Sequence, residues 1–142
     1  MIYKEKEFDY KGYKCVVLFL HMGYRCGYVS IPKQSKLYGK NYDDIDVYCH
    51  GGLTYSKDYL NGIPEQDLWW IGFDCGHYGD GKDFKAAKKY FSDPKVLDLI
   101  NQMEYLDNMF PLYEGAKSLE FCEQECMQIV DQIIEMEREV GA

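Results

Sequence analysis

The spacing of apolar residues changes once along the chain, and this change constrains the fold more than any other feature. Up to about residue 80, apolar side chains alternate or form short β-branched runs, which is typical of strands. From residue 92 onward they recur at intervals of three and four, which is typical of helices that pack on one face. We therefore predict an α+β fold in which C-terminal helices cover one face of an antiparallel sheet.

Six segments of the first part are predicted strands: 3–11, 13–20, 24–31, 45–50, 53–55 and 68–74. The first two should form a hairpin that turns at Lys11 and Gly12. The third should end at Pro32, which cannot donate a ladder hydrogen bond. In the last strand, alternation places four side chains on one face and Trp70 on the other. The four are Trp69, Ile71, Phe73 and Cys75.

Three helices are predicted after residue 82. A short one lies within 83–91, and a second runs from about 94 to 108 with Asp93 as its cap. The second should bury Val96, Leu97, Ile100, Met103 and Leu106. Ser118 can cap the last helix, whose apolar positions repeat every 3.5 residues: Leu119, Cys122, Cys126, Ile129, Ile133, Met136 and Val140. This seam is either a coiled-coil dimer interface or a face packed on the sheet, and its short length favours the sheet.

The chain of 142 residues fits one domain. We expect residues 1–81 to form the sheet and to hold any metal site, and residues 82–142 to form the helical half.

Histidine and aspartate residues cluster around the last predicted strand. His50 precedes two glycines, and Asp74, His77 and Asp80 follow at spacings of three. Two imidazoles and two carboxylates match a tetrahedral zinc site, so we predict these four residues as ligands. With four protein ligands the zinc would be structural. With three, an open position could activate water, and the protein would be a metal-dependent hydrolase.

The same residues also have an interpretation without metal. His50 could bond a backbone carbonyl, and Asp74 could cap a turn or the His77 ring. Cys49 and Cys75 are softer candidate ligands, but alternation points both toward the apolar face. A Cys–His dyad is disfavoured because buried structural thiols are far commoner than nucleophiles. The glycine spacings match neither a P-loop nor a dinucleotide fingerprint.

Charge and composition exclude several classes of function. The net charge of −8 argues against nonspecific binding to nucleic-acid phosphates. No apolar run approaches the roughly 18 residues of a membrane span, and the N-terminal residues lack the apolar core of a signal peptide. We therefore expect an intracellular protein whose six cysteines are reduced. None of them forms a CxxC pair, which argues against a four-cysteine zinc ribbon.

The negative charge lies almost entirely in the helical half. Residues 1–91 carry 13 basic and 12 acidic side chains, whereas residues 92–142 carry 3 basic and 12 acidic ones. These carboxylates either form solvated helix faces or offer an acidic surface to a basic protein groove. In the second case we expect five residues of the last helix to contact the partner: Glu120, Glu123, Glu125, Asp131 and Glu135.

Several motifs together carry a resemblance to a known family. They are RCGYV at residues 25–29, LYGK at 37–40, HGGLTYS at 50–56 and WWIGFDCGHYGD at 69–80. The chain resembles small phage and prophage proteins that share these motifs, and its last helix, from Ser118 to Cys126, also resembles theirs. The resemblance extends from residue 25 to about residue 135. The region from Lys82 to Gly115 is longer than the family pattern, so an added helix there could be a specific binding surface.

The resemblance implies a phage accessory protein, and proteins of this kind include anti-CRISPRs, which are metal-containing inhibitors of Cas9 effectors. Our first hypothesis is a non-enzymatic inhibitor, a monomer or dimer in the cytoplasm of the bacterial host. It would be stabilised by zinc and would dock on a basic Cas9-type effector through its acidic helices. The alternatives are the hydrolase and a sponge for a nucleotide immune signal. The sponge would use Arg25, the lysines between 82 and 89, and tyrosines.

Overall fold

The computed structural model describes residues 1–65, 67–110 and 115–141, with side chains described up to Glu139. Its strands are β1 (Ile2–Tyr10), β2 (Tyr13–Leu20), β3 (Arg25–Pro32), β4 (Tyr55–Lys57) and β5 (Leu68–Asp74). Its α-helices are α1 (Phe84–Tyr90), α2 (Pro94–Met109) and α3 (Leu119–Gly141). This architecture confirms the predicted α+β class.

The five strands form one antiparallel sheet in the order β1-β2-β3-β5-β4. The predicted hairpin joins β1 and β2, and its turn residues Lys11 and Gly12 have φ values of 49° and 88°. Positive φ at both central residues characterises the type I′ turn, whose twist suits a two-residue hairpin.

A β-bulge interrupts β1, which lies at one edge of the sheet. Lys4 pairs with Leu18 and Lys6 with Val17, so Glu5 is an extra residue without a partner in the ladder. A bulge of this kind changes the direction in which a side chain points. Here it turns the Glu5 carboxylate toward Arg25 of β3, at 2.6 and 2.9 Å from the guanidinium.

Arg25 joins four elements through one buried side chain. Besides Glu5, its guanidinium contacts Asp83, which caps α1, at 3.2 Å, and the backbone oxygen of Lys117 at 3.0 Å. Burial lowers the pKa of Arg25, but the hydrogen bonds and charges of Glu5 and Asp83 outweigh burial and raise it. Arg25 therefore stays charged, and its guanidinium is engaged by two carboxylates and a backbone oxygen.

Helix α3 packs across β1, β2 and β3 and covers one face of the sheet. Its buried residues are Cys122, Cys126, Ile129, Val130 and Ile133. They meet sheet residues that include Cys15, Val17, Val29, Ile31, Ile71, Phe73 and Cys75. The 3.5-residue seam is therefore a face packed on the sheet, as predicted. The side chain of Val140 lies outside the described residues.

A glycine in β3 allows this close packing. A Cβ atom on Gly27 would lie 2.4 Å from the Phe73 ring and 3.0 Å from Cys126 Sγ. A side chain at this position would have to displace the Phe73 ring and would crowd Cys126 of α3.

The opposite face of the sheet has a smaller core. Val16, Leu18 and Trp70 pack there against Leu60 and Ile63, which lie between β4 and β5. Trp70 therefore lies on the face opposite Ile71, Phe73 and Cys75, as the alternation predicted.

Helices α1 and α2 form a third core with the end of β2. Phe19 packs against Phe84, Ala87, Phe91 and Ile100. The cap of α2 is confirmed, because the Asp93 carboxylate accepts hydrogen bonds from the first turn.

Three predictions about local structure are wrong. Residues 45–50 form no strand, because Gln132 and Glu125 of α3 bind their backbone where a neighbouring strand would bind. The predicted strand at 53–55 begins only at Tyr55. In α2, Leu106 is 57% exposed although the apolar stripe predicted its burial. Its position falls at the margin of the buried face.

We expect Gly27→Ala to lower the free energy of unfolding by about 1–3 kcal/mol, because the added methyl must displace Phe73 or Cys126. Chemical denaturation measures the change. Gly115→Ala is the matched control, since apart from its chain neighbours no atom of the described residues lies within 4 Å of the added Cβ, and it should change stability by less than about 0.5 kcal/mol. Equal effects of the two substitutions would contradict the packing argument.

Candidate functional site

The four predicted metal ligands lie together as two neighbouring histidine–aspartate pairs. His50 Nε2 is 2.9 Å from both carboxylate oxygens of Asp80. His77 Nε2 is 3.4 Å from Asp74 Oδ1. The two imidazole centroids are 5.9 Å apart, so the pairs belong to one site.

Hydrogen bonds at the end of β5 and in the loop after it hold the two carboxylates of the site in place. Asp74 accepts hydrogen bonds from the Gly76 N–H at 2.9 Å and from Thr54 Oγ1 at 3.1 Å. Asp80 is buried and also accepts from the His77 N–H at 3.1 Å. These bonds fix both carboxylates before any ligand binds.

Gly51 is needed for the two histidines to approach each other. Its φ is 69°, in the left-handed region, and a Cβ there would lie 2.2 Å from His77 Nε2. The imidazole of His77 therefore lies directly against the Gly51 backbone, which explains the glycine after His50.

Helix α3 holds the His50 side of the site. The His50 N–H donates to Glu125 Oε1 at 2.8 Å, and the imidazole packs edge-on against Phe121 at 5.5 Å between centroids. Gln132 exchanges two hydrogen bonds with the backbone of Tyr48. Sequence reasoning missed the roles of Thr54, Phe121 and Gln132, because nothing in the local pattern indicates these long-range contacts.

The geometry of the site suits a metal only in part. Within residues 1–65, 67–110 and 115–141, no three His, Cys, Asp or Glu side chains are grouped as a metal would require. His77 Nε2, however, is buried and has no hydrogen-bond partner. Buried polar atoms rarely lack a partner, so this nitrogen indicates a missing ligand or water.

The six cysteines are thiols, and the environment of several makes them poor nucleophiles. Burial raises the pKa of both Cys26 and Cys49 to about 12. Cys75 and Cys122 lie with their sulfurs 3.7 Å apart, and this contact, together with burial, raises the pKa of Cys122. Thiolates are scarce at neutral pH under these conditions, which is unfavourable for a catalytic dyad.

Internal contacts engage four of the five predicted partner-binding carboxylates. Glu123 lies 3.8 Å from Lys6, and Asp131 lies 2.8 Å from Lys11. Glu125 accepts from His50, and Glu135 pairs with Arg138 on its own helix. Glu120 is exposed, and no ion pair connects it to another described residue.

Some of the cationic side chains expected for a nucleotide sponge are engaged in contacts within the protein. Arg25 is buried in its ion-pair network. Lys88 binds Glu104 at 2.6 Å, and Lys82 lies over the Tyr24 ring.

Comparisons with known proteins gave no match. No protein-family model, no curated protein and no solved structure is significantly similar to the chain. The resemblance to phage proteins therefore stays a prediction. In the described part of the chain, every helix is too short or too polar to cross a bilayer.

The sequence analysis also missed a groove at the C-terminal end of α3. It has a volume of about 590 Å³, and its walls include Tyr13, Leu37 and Met136. Its rim carries both lysines and carboxylates, including Lys36, Lys40, Asp44 and Glu137. Residues from three distant segments form it, so no single motif indicates it.

We expect Asp80→Ala to destabilise the protein by about 2–3 kcal/mol, since it removes the acceptor for both His50 and the His77 N–H. Thermal and denaturant unfolding measure this loss. Asp9→Ala, on the exposed surface of β1, should change stability by less than about 0.5 kcal/mol. If Asp80→Ala were as mild as its control, the histidine–aspartate pairs would not stabilise the fold.

Proposed function

We propose that the chain is a phage-encoded anti-defence protein that acts by binding a basic host protein. The proposed partner is a Cas9-type effector in the bacterial cytoplasm. The observation that carries the proposal is the uneven charge, with 12 acidic and 3 basic side chains after residue 91. Cas9-type effectors hold nucleic acid in positively charged channels, which an acidic protein surface complements.

The outer face of α3 is the part of this acidic surface best placed for docking. Glu120, Asp131 and Glu135 are exposed, but Asp131 is engaged by Tyr10 and Lys11 of the β1–β2 hairpin. Glu123 and Glu125 are half-buried, and their contacts with Lys6 and His50 hold α3 in place. We therefore assign Glu120 and Glu135 to partner binding and Glu125 to the internal structure.

The mechanism we propose is stoichiometric occlusion without catalysis. The sheet and α3 share one core, so the acidic face is presented by a rigid support. A rigid surface loses little conformational entropy on binding, which favours affinity. The protein would occupy a basic channel and compete with guide RNA or target DNA.

We expect Glu120→Lys combined with Glu135→Lys to weaken binding to purified Cas9 about tenfold or more. Binding of the unmodified protein should also weaken steeply between about 50 and about 300 mM salt. Isothermal titration and a DNA-cleavage assay measure both effects.

The control is Asp9→Lys combined with Asp58→Lys, which changes net charge equally on the sheet half and leaves the helices unchanged. It should alter affinity by less than about threefold. Salt-insensitive binding, or equal losses for the two double variants, would contradict docking through α3.

We also propose a structural zinc ion at the histidine–aspartate pairs. Two ligands of a tetrahedral zinc ion are about 3.3 Å apart when each bond is about 2.0 Å. The 3.4 Å separation of His77 Nε2 and Asp74 Oδ1 is close to this value and long for a hydrogen bond. His50 and Asp80 are closer, at 2.9 Å, and would need to separate slightly to complete the site.

We expect protein purified without an affinity tag to retain about one zinc ion per chain, measured by elemental analysis. Removing zinc should lower the melting temperature, and restoring it to about 100 times its dissociation constant should add about 2.7 kcal/mol. His77→Ala should remove this response, whereas His21→Ala should preserve it. A protein that neither retains zinc nor responds to added zinc would contradict the site.

A further inference from the structure

Two buried thiols face each other where α3 packs on the sheet. Cys75 directly follows the last residue of β5, and Cys122 lies in the first turn of α3. Their side chains are buried, and their sulfur atoms are 3.7 Å apart. The two sulfurs are therefore in direct contact across the boundary between the sheet and the helix.

The backbone on both sides of this contact is held by hydrogen bonds. The Cys75 N–H donates to the backbone oxygen of Arg25 at 2.9 Å, and the Cys122 N–H donates to that of Ser118 at 3.2 Å. A disulfide has a sulfur separation of about 2.05 Å, so the two sulfurs must approach by about 1.6 Å. Rotation of both side chains can share this displacement.

The loop that follows Cys75 offers a small oxidant a path to this pair. Residues 76–80 belong to no strand, and Gly76 and Tyr78 are exposed. Local opening of such a loop requires less free energy than global unfolding. Opening of residues 76–80 would therefore uncover the Cys75 sulfur while the strands stay paired.

A second thiol contact lies deeper in the same core. Cys126 of α3 forms a thiol hydrogen bond with Cys15, which lies within β2 and is paired with both β1 and β3. Both side chains are fully buried. Strands would have to separate before an oxidant reached this pair, so access favours Cys75 and Cys122.

We infer that a peroxide oxidises Cys75 and Cys122 to a disulfide that joins the end of β5 to α3. The Cys75 sulfur attacks one peroxide oxygen and the O–O bond breaks, which gives a sulfenic acid and water. The Cys122 sulfur then attacks the oxidised sulfur, the S–O bond breaks, and a second water leaves as the S–S bond forms. The two thiols lose two electrons and two protons, and hydrogen peroxide is reduced to two waters.

Burial limits the first step, and proximity favours the second. Peroxide reaches Cys75 only while the loop is open, so the loop sets the rate. Once Cys75 is oxidised, Cys122 is already in contact with it. An intramolecular step between groups in contact has a high effective concentration, which lets it compete with further oxidation.

The disulfide would strengthen the contact that supports the histidine–aspartate site. Cys75 lies two residues before His77. Cys122 follows Phe121, whose ring packs on the imidazole of His50. The bond joins residues 47 positions apart, which lowers the conformational entropy of the unfolded chain. Oxidation therefore stabilises the packed position of α3, and this consequence depends on neither the proposed partner nor the zinc ion.

The test exposes the reduced full chain to hydrogen peroxide after the reductant is removed. Mass spectrometry of the intact chain should show the loss of two hydrogen atoms. Its peptides, separated without reduction, should contain a link between Cys75 and Cys122. The melting temperature should rise by at least about 5 °C and return to its starting value after treatment with dithiothreitol.

Three cysteine variants test the assignment. Cys75→Ser and Cys122→Ser should each abolish the link and the rise in melting temperature. Cys49→Ser removes a half-buried thiol outside the pair and should keep both. The peptide map of the unmodified chain decides the pairing even if one of these variants does not fold.

Three results would overturn the inference. The first is a peptide map that links another pair, such as Cys15 with Cys126. The second is that Cys75 and Cys122 remain thiols after prolonged exposure to peroxide. The third is a linked protein that melts no higher than the reduced one, because the bond would then not stabilise the packed helix.

Discussion

The buried ion pair of Arg25 and Glu5 is the contact on which the arrangement of the helices depends. The guanidinium reaches from β3 to the bulge of β1, the cap of α1 and the residue before the cap of α3. Removing one partner of such a pair leaves a buried charge and costs about 3–5 kcal/mol. The pair therefore fixes where both helices start, and the position of α3 in turn fixes the histidine–aspartate site.

The site depends on α3 because its two halves come from different parts of the chain. Asp74 ends β5 and His77 and Asp80 lie in the loop that follows it, whereas His50 lies in a segment without a strand partner. Glu125 and Phe121 of α3 hold that segment in position. If the sheet folded without α3, His50 would lack its contacts with Glu125 and Phe121. The site is therefore complete only when α3 is packed on the sheet.

The sequence predicted the elements whose signal is local. Alternation located β5 and its faces, and the caps Asp93 and Ser118 located two helix starts. The segment 45–50 was mistaken for a strand, because an extended backbone bound by helix side chains has the same apolar pattern as a strand. The two histidine–aspartate pairs were expected as one cluster, but which imidazole faces which carboxylate depends on distances between loops, and sequence does not encode these locally.

The bulge in β1 also affects what the edge of the sheet can do. A two-fold axis between antiparallel edge strands places a residue opposite its own copy, so registers centred on Lys4 or Lys6 would each oppose like charges. The bulge adds a local twist, and lysines on an edge strand oppose further pairing. The extra residue that gives Arg25 its partner thus also opposes edge-to-edge pairing of the sheet between copies of the chain.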